Sequence, residues 1–288
     1  YCCTRVDKKD IGKVWSLRKA GLGLLGGMKG DAKPIGVIED TAVAPQRLPE
    51  YLRDIKKMLD NLGLNCVFYG HISTGELHLR PIIDIKTEKG RRMFRLVAEE
   101  TARIVKKHRG SLSGEHGDGR LRGEFIPMMF GEEAYEIMCQ LKKCWDPEGI
   151  MNMGKIVNTP PMDEFLRYEA EQKYVAEKWM DCGECKELML DIEQCNGAAD
   201  CRKSSVIGGT MCPVYKATKD ETMTTRARAN VLREVMTRGG NEKLIKKVMD
   251  SCLACKACKR ECPSNVDMTW IRARVLNNIH DRHSMDMK

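Results

Sequence analysis

The strongest constraint on this chain lies near its C-terminus, where Cys252, Cys255, Cys258 and Cys262 stand as C-x2-C-x2-C-x3-C followed by Pro263. Three thiolates this close in sequence can surround one iron–sulfur cube, while the cysteine before proline in such a run reaches a second cluster. A segment with this spacing folds around inorganic ions as much as around an apolar core. The matching half is Cys195, Cys201 and Cys212, the last also followed by a proline, Pro213. Exchange of the two proline-linked cysteines assigns Cys252, Cys255, Cys258 and Cys212 to one [4Fe–4S] cluster. It leaves Cys195, Cys201 and Cys262 for another, and the position where a further close cysteine belongs is Ala198. Three outcomes stay open for that second set: a [3Fe–4S] cluster, a [4Fe–4S] cluster completed by Cys182, Cys185 or a non-cysteine ligand, or no cluster.

Nine of the 14 cysteines fall after residue 180, an asymmetry that favours ligation in a reducing compartment over disulfides. Cys66, Cys139 and Cys144 sit in apolar contexts and are expected to pack. The 288 residues suffice for about two domains, and no apolar run approaches the roughly 18 residues of a membrane span. The first ten residues lack the apolar stretch of a secretory signal. The expected location is therefore cytoplasmic, with any membrane association peripheral and made through a partner. The net charge of +8 is spread along the chain, and five Phe and four Trp offer little for base stacking. Nucleic acid is excluded on that ground, and an acidic protein or a carboxylate substrate fits better.

Hydrophobic periodicity predicts α+β architecture. A helix over 10–25 runs out into glycines. A strand over 34–43, a helix over 49–62, strands over 65–72 and 77–85, a helix over 91–108 and a last short strand at 111–113 follow. Strand, helix, strand, strand, helix, strand is the order of a ferredoxin-like split βαβ sheet. A further helix over 132–143 precedes the turn at 146–149. The expected domains are 1–158, a linker with a helix over 159–190, and a small all-α iron–sulfur domain over 191–288.

The sheet carries the second chemical feature. His71 and His78 flank a predicted turn between two strands, and Glu115 with His116 lies in the glycine-rich loop SLSGEHGDG. Two imidazoles and a carboxylate leave open positions on a divalent metal (Zn, Mn or Fe), which suits substrate binding more than a closed structural site.

The ordered motifs WSLRKAGLGLL, GVIEDTAVAP, YGHISTGELHLRP, LSGEHGDG and DPEGIMNMGKI closely resemble the C-terminal catalytic half of FAD-linked oxidases of the vanillyl-alcohol oxidase superfamily. With TTRARANVLRE and KRECPSNVDM, the chain is similar to fused FAD/iron–sulfur dehydrogenases of D-2-hydroxyglutarate or D-lactate. The resemblance implies that His71, His78 and Glu115 bind the metal, that His116 is the general base, and that Arg18 holds the substrate carboxylate. It also implies that Lys155 contacts the flavin. The spacing of Cys195 and Cys201 resembles the three-cysteine [3Fe–4S] site of succinate dehydrogenase iron–sulfur subunits.

Two departures stand out. Ser73-Thr74-Gly75-Glu76 replaces the G-D-G-N of many relatives, and Glu76 either adds charge at the metal or faces solvent. The flavin-binding half is missing from the sequence; Gly21 to Gly30 is glycine-rich without a preceding strand and reads as a loop. The expectation is a subunit of a 2-hydroxyacid dehydrogenase sharing FAD with a partner subunit and passing single electrons through its cluster or clusters to an acceptor protein. The alternative is an electron-transfer or docking subunit without catalysis of its own, and a third possibility is a break within a fused gene.

Overall fold

The computed structural model describes residues 7–175, 182–240 and 242–282. In chain order the elements are α1 (Lys8–Gly26), β1 (Lys33–Pro34), β2 (Ile38–Ala42), α2 (Leu48–Asn61), β3 (Cys66–His71), β4 (Glu76–Ile83), α3 (Glu88–Lys107), α4 (Ile126–Phe130) and α5 (Glu132–Trp145). The helices α6 (Cys182–Glu193), α7 (Pro213–Thr218), α8 (Thr225–Arg238), α9 (Glu242–Asp250), α10 (Ala257–Glu261) and α11 (Met268–Arg282) complete the chain. It divides into two compact units, residues 31–171 and residues 1–30 with 172–288. Residues 7–30 thus group with the helical unit, whereas the motif reading ran one domain from residue 1 to 158. Part of the expected linker, residues 176–181, lies outside the described residues.

The 31–171 unit is mixed helix and antiparallel sheet. Strand β4 is central: β3 pairs along one edge, and β2 with the short β1 along the other. Helices α2 and α3 are amphipathic and bury Tyr51, Ile55 and Leu59, and Phe94, Val97 and Val105. Those side chains form one core with Ile38, Leu77 and Leu79 of the sheet. Thr87 caps α3 by accepting from the Gly90 amide, satisfying one of the free donors at a helix start.

The strand expected over 34–43 is two pieces, because residues 36–37 turn and the register to β4 shifts between Ile38 and Thr41. Asp40 sits at that bulge with φ of 75°, a region non-glycine residues rarely adopt. The last expected strand is reduced to one bridge, Ala42 to Ser111. The β3–β4 turn is closed by Gly75, at φ 75°; a Cβ there would lie 1.8 Å from the Val43 carbonyl oxygen, so only glycine fits.

The other unit packs α6, α8, α9 and α11 around Leu188, Ile192, Leu232, Met236, Ile245 and Ile271. Helix α1 runs on through Gly21, Gly23 and Gly26, where a loop was expected. The reason is close packing: a Cβ on Gly23 would lie 2.4 Å from the Cβ of Pro263, so glycine there serves contact rather than a turn. Among the described residues no helix is long and apolar enough to cross a membrane.

Candidate functional site

The hairpin brings His71 from the end of β3 and His78 from β4 together, their rings 5.4 Å apart and nearly perpendicular. The loop after Ser111 adds Glu115 and His116. Nε2 of both His71 and His78 lies 3.7 Å from Glu115 Oε1, and the His116 ring stacks on His78 at 5.4 Å. His116 Nε2 is 3.2 Å from the same carboxylate.

Three residues not singled out as site residues complete the arrangement. Glu76 is 6% exposed and points inward, with Oε1 3.3 Å from His78 Nε2; of the two alternatives for this side chain, solvent is ruled out. His71, Glu76, His78 and Glu115 each offer one donor atom within 4.8 Å of the others. Glu39 lies on the far side of His78, Oε1 3.4 Å from Nδ1, while its other oxygen pairs with Arg80 at 2.9 Å. Glu39 thus stands behind Nδ1, where the outer-shell carboxylate of a metal-binding histidine ordinarily stands.

Asp40, fully buried, organises the loop. Its Oδ1 accepts from the Glu115 amide at 2.7 Å, and Oδ2 from the His116 amide at 2.8 Å and the Ser113 hydroxyl at 2.5 Å. Arg122 adds a clamp, donating to the carbonyl oxygens of Glu39 at 2.5 Å and Gly117 at 2.7 Å. Asp40 also lies near Glu115 and His116 as a ligand group, but its oxygens are already occupied by the loop. Asp40→Asn places an amide N–H against donors, and leaving charged, buried hydrogen bonds unmade costs roughly 3 kcal/mol. The variant is expected to lose about that much stability with faster hydrogen exchange at the Glu115 and His116 amides; native protection there would show that Asp40 does not hold the loop.

Electrostatics favour a cation. Burial, with the Asp40 and Glu115 carboxylates adding to it, pushes the Glu76 carboxyl up to about 7, and burial lowers His78. Burial also opposes ionisation of Asp40, but the hydrogen bonds from Ser113, His116 and Glu115 hold it below the ordinary carboxylate range. Glu76 Oε1 is buried without a hydrogen-bond partner, a costly state that a divalent ion on Glu76 and His78 Nε2 would relieve. The residues present therefore fit a metal.

In the helical unit, Cys212, Cys252, Cys255 and Cys258 line one cavity together with Arg228, Met268 and Thr269. Cys212 caps the start of α7 with Pro213 at its first position. The loop to α10 turns through Ala254 and Lys256 at φ 52° and 61°, which brings Cys252, Cys255 and Cys258 to the same wall. Burial pushes the Cys258 thiol up, so ionising it requires a cationic partner such as cluster iron. Four thiols on one cavity are the donor set a [4Fe–4S] cluster takes. Cys195 and Cys201 are buried in the core that also holds Cys185, and Cys262 is packed at its margin; burial raises the Cys201 thiol, with Cys195 and Cys212 close enough to add to it.

Arg18 lies exposed on α1 of the helical unit. Lys155 is exposed after α5 and donates to Asn152 Oδ1 at 2.8 Å. Cys66 is half-buried, but Cys144 is exposed on α5 and does not pack as expected, because the face of α5 that carries it is uncovered.

A histidine–carboxylate cluster on a small antiparallel sheet and a cysteine-lined cavity among helices are the donor sets of an oxidoreductase with an iron–sulfur domain. Residues 3–156 match the model of the FAD linked oxidases, C-terminal domain, and the chain belongs to that family. Residues 194–267 match a 4Fe-4S dicluster domain. The chain is 29% identical to D-2-hydroxyglutarate dehydrogenase of Pseudomonas putida over 96% of its own length and 31% of the relative's. For the enzyme of the same description from Escherichia coli the figures are 28%, 95% and 30%. For D-lactate dehydrogenase of Archaeoglobus fulgidus they are 30%, 52% and 32%. The chain thus spans about a third of the length of these relatives.

Proposed function

We propose that the chain supplies the substrate and metal residues, and the electron outlet, of a flavin-dependent D-2-hydroxyacid dehydrogenase acting on D-lactate, glycolate or D-2-hydroxyglutarate. The observation that carries this reading is the convergence of His71, Glu76, His78 and Glu115 beside His116, in a chain of the FAD-linked oxidase family. His71, His78 and Glu115 are read as metal ligands, with Glu76 as a fourth donor. This donor set would hold a divalent ion, to which a 2-hydroxyacid would bind through its hydroxyl and carboxylate. The ion, when bound, lowers the pKa of that hydroxyl.

His116 is the base that takes the hydroxyl proton. Its stacking on His78 and its closeness to Glu115 hold the ring at the metal residues, and the Asp40 hydrogen bond to its amide fixes its backbone. The family resemblance assigns Arg18 to the substrate carboxylate, a task that suits a planar guanidinium. FAD, which would be held largely by a partner subunit and touched by Lys155, would supply the hydride acceptor. Cys212, Cys252, Cys255 and Cys258 hold a [4Fe–4S] cluster, and Cys195, Cys201 and Cys262 are the ligands available to a second one, [3Fe–4S] or [4Fe–4S]. Clusters pass electrons singly to an acceptor protein, so this unit matches a two-electron oxidation to a one-electron acceptor.

The flavin partner also has a surface to meet. Ile137, Leu141 and Trp145, exposed at helical spacing on one side of α5, and the exposed Ile150, Met151 and Met153 just beyond it are the apolar side chains we read as meeting that partner. The sheet order supports the ferredoxin-like reading of the 31–171 unit, and we keep the functional boundaries at 158 and 191. A cytoplasmic location, peripheral to the membrane only through a partner, completes the reading.

Metal analysis tests its centre. The chain, isolated with its flavin-binding partner, is expected to hold one divalent ion besides cluster iron. His78→Ala removes that ion, and Glu39→Gln weakens it by about 10–100-fold, the usual effect of an outer-shell partner. No metal in the wild-type complex, or unchanged affinity in His78→Ala, would sink the metal assignment. Tight flavin binding by this chain alone would sink the shared-flavin part.

A further inference from the structure

Arg228 is the largest fully buried side chain among the described residues, at 0% exposure. It sits in the first turns of α8, in the segment TTRARANVLRE, where periodicity reads as an ordinary amphipathic helix. Its guanidinium is held on three sides: Nε donates to the Val248 carbonyl oxygen at 3.1 Å, Nη1 to that of Met223 at 2.6 Å, and Nη2 to Ser251 Oγ at 2.8 Å. Ser251 is itself fixed by donating to Val248 at 2.7 Å. The remaining direction of Nη1 is towards Cys212 Sγ, 3.8 Å away. Arg228 also lines the cavity shared by Cys212, Cys252, Cys255 and Cys258.

All these anchors are neutral, and among the described residues no ion pair joins Arg228 to a carboxylate. A buried charge without a counter-charge is strongly destabilising. The groups on this cavity able to carry negative charge are its four cysteines. The guanidinium and the thiolates therefore need each other, and the rigid anchoring keeps the cation in place whatever the state of the cavity.

We propose that Arg228 is the counter-charge of the cluster held by Cys212, Cys252, Cys255 and Cys258, and that through Cys212 it raises that cluster's reduction potential. This rests on the reading of those four cysteines as cluster ligands. A tetrathiolate cluster is an anion that becomes more negative by one charge on reduction. A fixed cation favours the reduced form, and an N–H donor to a ligating sulfur acts in the same direction. Arg228 is thus a positioning and tuning residue: it touches a ligand sulfur and takes no part in hydride or proton transfer.

The test is an EPR-monitored redox titration of the full chain with its flavin-binding partner, as wild type, Arg228→Gln and Arg228→Lys. Arg228→Gln keeps donors without charge. It is expected to lower the reduced-to-oxidised ratio of the cluster at fixed ambient potential by at least tenfold, a shift of 59 mV for one electron. Arg228→Lys keeps the charge but cannot serve three anchors and the sulfur together, and is expected to shift the midpoint less and in the same direction. A Gln variant with its cluster and the wild-type midpoint overturns the proposal. Should the Gln variant lose its cluster, a cluster retained in the Lys variant, where the charge is kept, supports the counter-charge role, and loss of the cluster from the Lys variant as well overturns it. A wild-type chain without cluster iron would instead overturn the cluster reading beneath it.

Discussion

Replacing His116 by alanine is expected to lower kcat for 2-hydroxyacid oxidation by about 10²–10⁴-fold, the usual contribution of a positioned general base. The metal and cluster iron should remain. His116 lies outside the group of four donors His71, Glu76, His78 and Glu115, so on the proposed assignment its removal would take the proton acceptor and leave the metal donors. Its loop is held through its backbone, by the Asp40 hydrogen bonds to the Glu115 and His116 amides, and those survive the substitution. Metal content, cluster spectra and melting temperature therefore serve as controls against a merely structural effect. If oxidation proceeds at the wild-type rate in His116→Ala while cluster loss abolishes it, the chain is an electron-transfer or docking subunit and the chemistry belongs to its partner.

Cys258→Ala is expected to separate the two halves of the reaction. Substrate should still reduce the flavin of the complex, since the metal residues lie in the other compact unit, but delivery of single electrons to an acceptor should stop and the [4Fe–4S] EPR signal should vanish. The helical unit should lose stability as well. Cys258 belongs to its buried core with Cys195, Cys201 and Cys212, and metal binding by a small domain is largely its folding energy, on the order of 10 kcal/mol for structural zinc sites. A separate, lower thermal transition for this unit is the expected reading, with Cys139→Ala, on α5 of the sheet unit, as the unaffected control. A Cys258→Ala chain that keeps its cluster signal would remove Cys258 from the ligand set.

Much of this was legible in the residues themselves. The histidines at 71 and 78 sit across a glycine turn whose pattern dictates a hairpin, and the cysteine spacing left little choice of wall for three of the four thiols. Glu39 and Asp40 were not legible. The segment GVIEDTAVAP alternates as a plain strand, and the bulge that turns Asp40 under the 113–116 loop depends on partners over 70 residues away in sequence. Glu76 resisted for a related reason: a glutamate beside a turn ordinarily faces water, and only the packed hairpin turns it inward. Arg228 was hidden because an arginine on an amphipathic helix is ordinarily exposed, and nothing local announces that this one enters the core. The glycines of α1 misled in the opposite sense, because glycine at a close helix contact and glycine at a loop look alike until the neighbour, Pro263, is known.

The Gly75 turn has a bearing on how the centre is loaded. It is seated against the Val43 carbonyl so closely that no side chain fits, and the Val43 amide donates back to the Gly75 carbonyl at 3.0 Å, so the hairpin end that carries Glu76 and His78 is fastened to β2. His78 and Glu76 lie buried there, whereas Glu115 and His116 stand half-open at the rim. On the proposed reading, an ion and a hydroxyacid would reach His78 and Glu76 from this open side, so side chains placed at Glu115 and His116 would govern how fast the centre is loaded and emptied.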